Sequence, residues 1–279
     1  MKALAIVSSP RKGGNSELAA KEILSQLPAS WEKEMIRLNE LNIKLCSACY
    51  ACIPEDKKCK LDDDLQFLLE HVKSADKIII TCPVYFFGTH TMIKVASDRL
   101  LSILNNYNDF ANKDCVIASF YGREKWDGAA KENLIIFARQ LHLNLVDMAS
   151  LLATIPGESV EGENLKVMQR LAKSLVKPPA ELLLPEGELR CTYCHGSAIT
   201  PFVDGKWKCT ICGETGTLEY KDGKFSIRGN NEKLSHFSVE NKVKHGDFLT
   251  EKKNYFIENR VHVKELQAKY AEMDWWVKP

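Results

Sequence analysis

The chain has 279 residues, 45% of them hydrophobic and 27% charged, with a formal net charge of +1. That balance suits a soluble globular protein with one substantial domain and a smaller one, and gives no electrostatic case for a nucleic-acid or membrane partner. The apolar runs are too short to cross a bilayer, and Met1-Lys2 leads straight into a strand pattern with nothing like a secretory signal.

Residues 3–8 read as a short buried strand. A turn-rich stretch follows, Ser9-Pro10-Arg11-Lys12-Gly13-Gly14-Asn15, and a helix is expected from Ser16, whose hydroxyl suits an N-cap. A Gly-rich turn running from a strand into a helix N-terminus is a ready anion site, because backbone N–H groups converge there. Ser9, Asn15 and Ser16 would add neutral donors, and Arg11 or Lys12 positive charge. The stretch is neither a Walker A loop nor G-x-G-x-x-G, which disfavours a nucleotide triphosphate and the dinucleotide fingerprint.

A second strand is expected over 34–38, and then four cysteines crowd together as C-x2-C-x2-C-x6-C: Cys46, Cys49, Cys52 and Cys59. Disulfides between such close neighbours would close tiny loops, whereas repeated two-residue gaps let sulfurs converge on one centre. The pattern therefore points to an iron–sulfur cluster, with zinc or an empty loop as the plainer alternatives. Asp62-Asp63-Asp64 can open a helix to about Lys73, since carboxylates favour the N-terminal end. Ile78-Ile79-Ile80 marks a strand covered on both faces. Pro83-Val84-Tyr85-Phe86-Phe87-Gly88 follows it; this run suits a wall for a flat apolar ring, or Phe86 and Phe87 are simply core aromatics. Cys82 and Cys115 read as buried structural thiols. Helix over 90–106, strand over 114–120, helix over 128–141, strand over 144–150 and helix over 163–176 complete the alternation. Strands alternating with helices imply a doubly wound α/β fold with a flavodoxin-like parallel sheet, order 2-1-3-4-5.

Proline pairs stop helices, so Lys177-Pro178-Pro179 sets a boundary: a first domain over 1–177, a linker over 178–188, a metal module over 189–230 and a partly helical tail over 231–279. The module carries Cys191-x2-Cys194-x14-Cys209-x2-Cys212, a tetrahedral signature read first as a zinc ribbon and alternatively as a rubredoxin-like single-iron site. Gly196 and Gly213 would allow its knuckles, Trp207 and Phe202 would form its small core, and a hairpin would turn at Asp222-Gly223. In the tail a helix is expected over about 247–273, with Phe256, Val263, Leu266, Tyr270 and Met273 on one face, and Trp275-Trp276 as a docking pair. Two complete cysteine quartets favour a reducing cytoplasm.

The first 175 residues resemble the iron–sulfur flavoproteins, a branch of the flavodoxin-like NAD(P)H-dependent FMN reductases. The resemblance rests on Ser9-Pro10-Arg11-Lys12-x-Gly14-Asn15-Ser16, the Cys46/Cys49/Cys52/Cys59 loop, Asp62-Asp63, Pro83–Gly88 and Lys94…Asp98-Arg99. It implies FMN with its phosphate held by Ser9, Arg11, Asn15 and Ser16, and its ring bordered by Pro83, Val84, Tyr85, Phe86 and Gly88. Tyr121 and Gly122 are further candidates, although Ser119-Phe120-Tyr121-Gly122-Arg123 is bulkier than the family's glycine-rich third loop, and Ser8 stands where glycine is common. A [4Fe-4S] cluster on the four-cysteine loop would pass electrons between a reduced donor, ferredoxin or NAD(P)H, and an unidentified acceptor. Homo-oligomerisation is also implied. The rival readings are an NAD(P)H-dependent FMN or quinone reductase without a working cluster, and a non-redox binding protein that carries the ribbon.

Overall fold

The structure is a computed structural model, and it describes residues 1–53, 58–179, 188–230 and 236–271, together with 273, 275 and 277. The expected linker therefore lies almost wholly outside the described residues, as does Trp276.

Five strands carry the main sheet: β1 (Lys2–Val7), β2 (Glu32–Arg37), β3 (Lys77–Tyr85), β5 (Asp114–Tyr121) and β6 (Asn144–Leu152); the two-residue β4 (Gly88–Thr89) folds back on β3. The five are parallel in the order β2-β1-β3-β5-β6, which is the expected 2-1-3-4-5. Alternation along each strand sorts the core into two layers. Ala3, Ala5 and Val7 face α1 (Asn15–Gln26) and α5 (Gly162–Val176), while Leu4 and Ile6 face α2 (Leu65–Ser74), α3 (Thr91–Arg99) and α4 (Ala130–Gln140). Ile78, Ile79 and Ile80 are all buried because β3 is central and covered on both sides.

Some boundaries differ from expectation for local reasons. α1 begins one residue early, with Gly14 rather than Ser16 outside it, because the side chain of Asn15 is drawn to the loop after β6. The helix expected over 90–106 divides into α3 and a 3₁₀ stretch over Leu100–Asp109, with non-helical dihedrals at Asn106.

The ribbon is an antiparallel sheet of β7 (Ile199–Pro201), β8 (Lys206–Cys209), β9 (Thr215–Lys221) and β10 (Lys224–Gly229). Its hairpin turns at Asp222 and Gly223, whose φ angles of 51° and 78° make the favoured left-handed pair. Trp207 is its buried centre; Phe202, expected beside it, is 48% exposed on the surface. The ribbon leans on the main domain through Ser197, whose Oγ donates to Glu132 at 2.6 Å, and through the buried Arg190, which bonds the His195 carbonyl at 3.2 Å and approaches the Met148 sulfur. The tail forms two helices instead of one, α6 (Val239–Glu258) and α7 (Arg260–Ala271), and Phe256, Leu266, Tyr270 and Trp275 are exposed. Lys242 anchors α6 by donating to the Arg139 carbonyl (2.9 Å) and to His142 Nε2 (2.8 Å) at the end of α4. No helix among the described residues is long and apolar enough to cross a membrane.

Candidate functional site: a loop cluster and two cysteine quartets

The loops after β1, β3, β5 and β6 meet at the carboxyl edge of the sheet, where strand order reverses and α/β sheets take their ligands. After β1, Ser8 and Ser9 are buried, with the Ser8 side chain turned to the Cys82 thiol. The first-turn amides of α1, at Asn15 and Ser16, have no helical carbonyl to bond. Arg11 is exposed and packs beside Gly14. Two first-turn amides and a surface guanidinium fit an anionic group such as a phosphate.

The side chain of Asn15 is engaged elsewhere. Its Nδ2 donates to the carbonyls of Ala153 (3.0 Å) and Ile155 (2.9 Å), and its Oδ1 accepts from the amides of Gly157 (3.0 Å) and Ser159 (3.3 Å). Asn15 thus staples α1 to the loop after β6 and leaves only its backbone N–H for a ligand. Two residues outside the expected set shape the turn. Glu17 accepts from the Gly13 amide at 2.7 Å and from Arg37 at 2.6 Å, while Arg37 donates to the Ser9 carbonyl at 3.1 Å. Hydrogen bonds from Lys21, Arg37 and Gly13 hold the Glu17 carboxyl down at about 2. Its partner Arg37 is 20 residues away on β2, so no local pattern marks the pair.

After β3 the chain makes a tight hairpin whose two central residues, Phe86 and Phe87, have φ angles of 46° and 65°. Left-handed backbone at two consecutive aromatics is strained. Neither is a core aromatic: Phe86 is fully exposed and Phe87 about half exposed, with Tyr85 also on the surface. Phe87 packs on Trp126 with ring centroids 5.2 Å apart, and Arg123 lies over Trp126 at 4.9 Å. The hairpin is held by the Ala129 amide donating to the Phe87 carbonyl at 2.7 Å; a Cβ at Gly128 would come within 2.3 Å of that oxygen. Pro83 and Val84 are half-buried at the foot of the hairpin, and Gly88 pairs with Tyr85. After β5, the Tyr121 carbonyl accepts from the Ala153 amide (2.8 Å) and the Gly122 carbonyl from Thr154 Oγ1 (2.9 Å). The expected residues of all three loops therefore stand around one edge, with the loop over 153–159 as an additional wall. Cys82 lies beneath, wholly buried, and burial pushes its thiol up to about 12.

The first cysteine quartet lies on the loop that follows β2. Cys46, Cys49, Cys52 and Cys59 line one cavity of about 350 Å³ together with Asp98, Arg99 and Leu101. Ala48 and Tyr50 take φ angles of 49° and 53°, so the loop reverses sharply between successive cysteines. The donor set is all thiol, Cys46 and Cys49 are exposed at the mouth of the cavity, and its volume has room for a multi-atom cluster. Arg99, buried at the end of α3, makes a two-pronged pair with Asp63 (2.5 and 3.2 Å), bonds the Lys44 carbonyl at 2.7 Å, and donates to Cys59 Sγ at 3.2 Å. Burial alone would raise the Asp63 carboxyl, but Arg99 and the amides of Lys44 and Leu65 hold it below the ordinary range. Lys94 pairs with Asp98 one turn along α3.

The second quartet is gathered more tightly. Cys191, Cys194, Cys209 and Cys212 are buried, with all four sulfurs within 4.8 Å of one another. That closeness suits one tetrahedral ion. Gly213, at φ 79°, takes the left-handed position of the second knuckle as expected, but in the first knuckle His195 takes it (φ 66°), while Gly196 makes room for Ile211.

The profile of the NADPH-dependent FMN reductase family matches residues 1–157. An iron-sulfur flavoprotein of Methanocaldococcus jannaschii is 37% identical over 100 residues, covering 36% of this chain and 51% of that protein. Another, from Methanosarcina thermophila, is 34% identical over 122 residues, covering 43% of this chain and 61% of its own. The chain thus spans half to three-fifths of these two curated relatives. A solved flavone reductase shares the fold along the whole of both chains, with a TM-score of 0.77 at 20% identity. With more than half its length matched by the family profile, on a parallel sheet of the expected order, the chain belongs to the NADPH-dependent FMN reductase family.

Proposed function

We propose that this protein is a two-centre redox flavoprotein, with FMN at the carboxyl edge of the sheet and an iron–sulfur cluster, [4Fe-4S] as the resemblance to the iron–sulfur flavoproteins implies, on the loop after β2. The observation that carries the reading is the single cavity lined by Cys46, Cys49, Cys52 and Cys59, with α3 reaching it from the aromatic hairpin. His90 caps the start of α3 beside Tyr85, and Arg99 ends it beside Cys59. Nine residues of helix separate the two regions by about 13 Å. When bound, a flavin exchanges electrons in pairs or singly and a cluster carries one at a time, so together they convert between the two kinds of traffic.

The chain's own residues bind and shield. The amides of Asn15 and Ser16, with Ser9 and Arg11, take the phosphate; Pro83, Val84, Tyr85, Phe86 and Gly88 border the ring, with Tyr121 and Gly122 at the far side. No acid or base need act. NAD(P)H or a reduced ferredoxin is the donor class, with cytoplasmic chemistry to match. The second quartet holds zinc, or alternatively a single iron, and ties the ribbon to α4. Anaerobic purification followed by flavin, iron and acid-labile sulfide analysis tests the reading. Wild type should contain FMN, iron and sulfide, and Cys46→Ser should lose sulfide and most iron while keeping flavin. FMN without sulfide in wild type would favour a plain NAD(P)H-dependent FMN or quinone reductase, and a colourless protein that ignores added FMN a non-redox ribbon protein.

A further inference from the structure

We infer that Arg99 and Asp63 form an opposed pair that sets the reduction potential of the cluster, an inference that rests on the cluster reading above. The guanidinium is 1% exposed, and so is the Asp63 carboxylate. One nitrogen, Nη1, is satisfied by the Lys44 carbonyl and Asp63. The second, Nη2, is shared between Asp63 and the Cys59 sulfur. The third, Nε, is buried with no partner among the described residues. A buried N–H left unmatched is costly, and here it belongs to a residue lining the cysteine cavity. The contact that reaches the quartet is the one from Nη2 to the Cys59 sulfur.

The physical consequence is electrostatic. Reduction adds negative charge to a cluster, so a nearby cation and N–H···S bonds stabilise the reduced form and raise the potential. On the Cys59 side, where the Arg99–Asp63 pair is shielded from solvent, little water screens this effect. Asp63 acts in the opposite sense: it aims the guanidinium, but cancels much of its charge. Asp63 is held in turn by the amides of Lys44 (2.9 Å) and Leu65 (3.2 Å), so the pair cannot swing away together. Arg99 is thus a positioning and tuning residue, not a catalytic one, and its planar fork is not replaceable by a lysine.

The test is an anaerobic redox titration of the cluster-loaded protein, followed by electron paramagnetic resonance, in wild type, Arg99→Lys, Arg99→Gln and Asp63→Asn. Arg99→Gln should favour the oxidised cluster at least tenfold, a downward shift of about 59 mV for one electron. Arg99→Lys should shift less, in the same direction, since charge remains but the fork is gone. Asp63→Asn should shift upward. A merely structural role would lower the amount of cluster and leave the potential of the loaded fraction unmoved. Unmoved potentials, shifts of one sign in Arg99→Gln and Asp63→Asn, or loss of the cluster from every variant would overturn the inference. Wild type without iron and sulfide would instead overturn the cluster reading on which it rests.

Discussion

Asn15 lies in the turn where a phosphate is expected, yet its amide makes four hydrogen bonds to the loop over 153–159. Asn15→Ala would strand two carbonyls and two amides at once. The expected loss is about 2–3 kcal/mol of stability, visible in thermal unfolding of flavin-free protein. A residue that served only a ligand would leave the flavin-free transition where it was. Glu17 provides a second measurement. Its carboxyl sits at about 2 instead of the ordinary 4.5, through Lys21, Arg37 and the Gly13 amide. A depressed acid contributes stability that is complete above about 4.5 and vanishes as pH falls toward 2. Denaturant unfolding between pH 7 and 3 should therefore lose on the order of 2 kcal/mol less in Glu17→Gln than in wild type. Equal slopes would mean that the carboxylate does not brace the turn. The quartet of Cys191, Cys194, Cys209 and Cys212 was legible from sequence, because two C-x2-C pairs carry their chemistry in spacing over a few residues. The Asn15 staple, the Glu17–Arg37 brace and the Arg99–Asp63 pair were not, because each joins residues 20 to 144 positions apart.

At the scale of elements, the alternation of β-branched runs with helical periods was enough for the sheet order, since right-handed crossovers leave few ways to wind it. Which aromatics stayed outside was not legible. Phe86 and Phe87 have the composition of a core and the position of a turn, and only the pairing of β3 with β4 decides between them. A two-residue hairpin of this hand prefers Asn-Gly. Phe86→Asn should then stabilise the flavin-free fold by about 1 kcal/mol, relief of left-handed strain at an exposed ring that packs on nothing described. The same change should weaken flavin binding or slow electron delivery if the strained ring is kept for function. A variant that is both no more stable and fully active would show that the turn is indifferent to its residue. Gly128 belongs to the same element: its missing Cβ lets the backbone of Phe87 pass close by.

On the scale of the whole molecule, the ribbon and the main domain differ in what holds them. The main domain has two extensive apolar layers on one sheet. Trp207 and four buried sulfurs of the ribbon join one of those layers, with Ile199, Ile211, Leu218 and Ile227 half-buried around them. Burying Trp207 contributes roughly 3 kcal/mol, whereas a structural metal supplies on the order of 10; the metal is the larger single contribution. Removing it leaves four sulfurs within 4.8 Å of one another, which repel once any two are ionised. The ribbon's polar contacts with α4 and β6 pass through Arg190 and Ser197, which flank the first knuckle. These anchors should fail with it. The cleanest starting material is Cys46→Ser, so that only the ribbon's metal is read. Stripping it with a chelator under reducing conditions should shift Trp207 emission to the red, with the difference absent in Trp207→Phe. Helical circular dichroism should largely persist, because the apolar layer that holds α1 and α5 lies across the sheet from the ribbon's sulfurs. An unshifted Trp207 after complete metal loss would mean that apolar packing alone folds the ribbon, and collapse of the helical signal would mean that the two units stand or fall together.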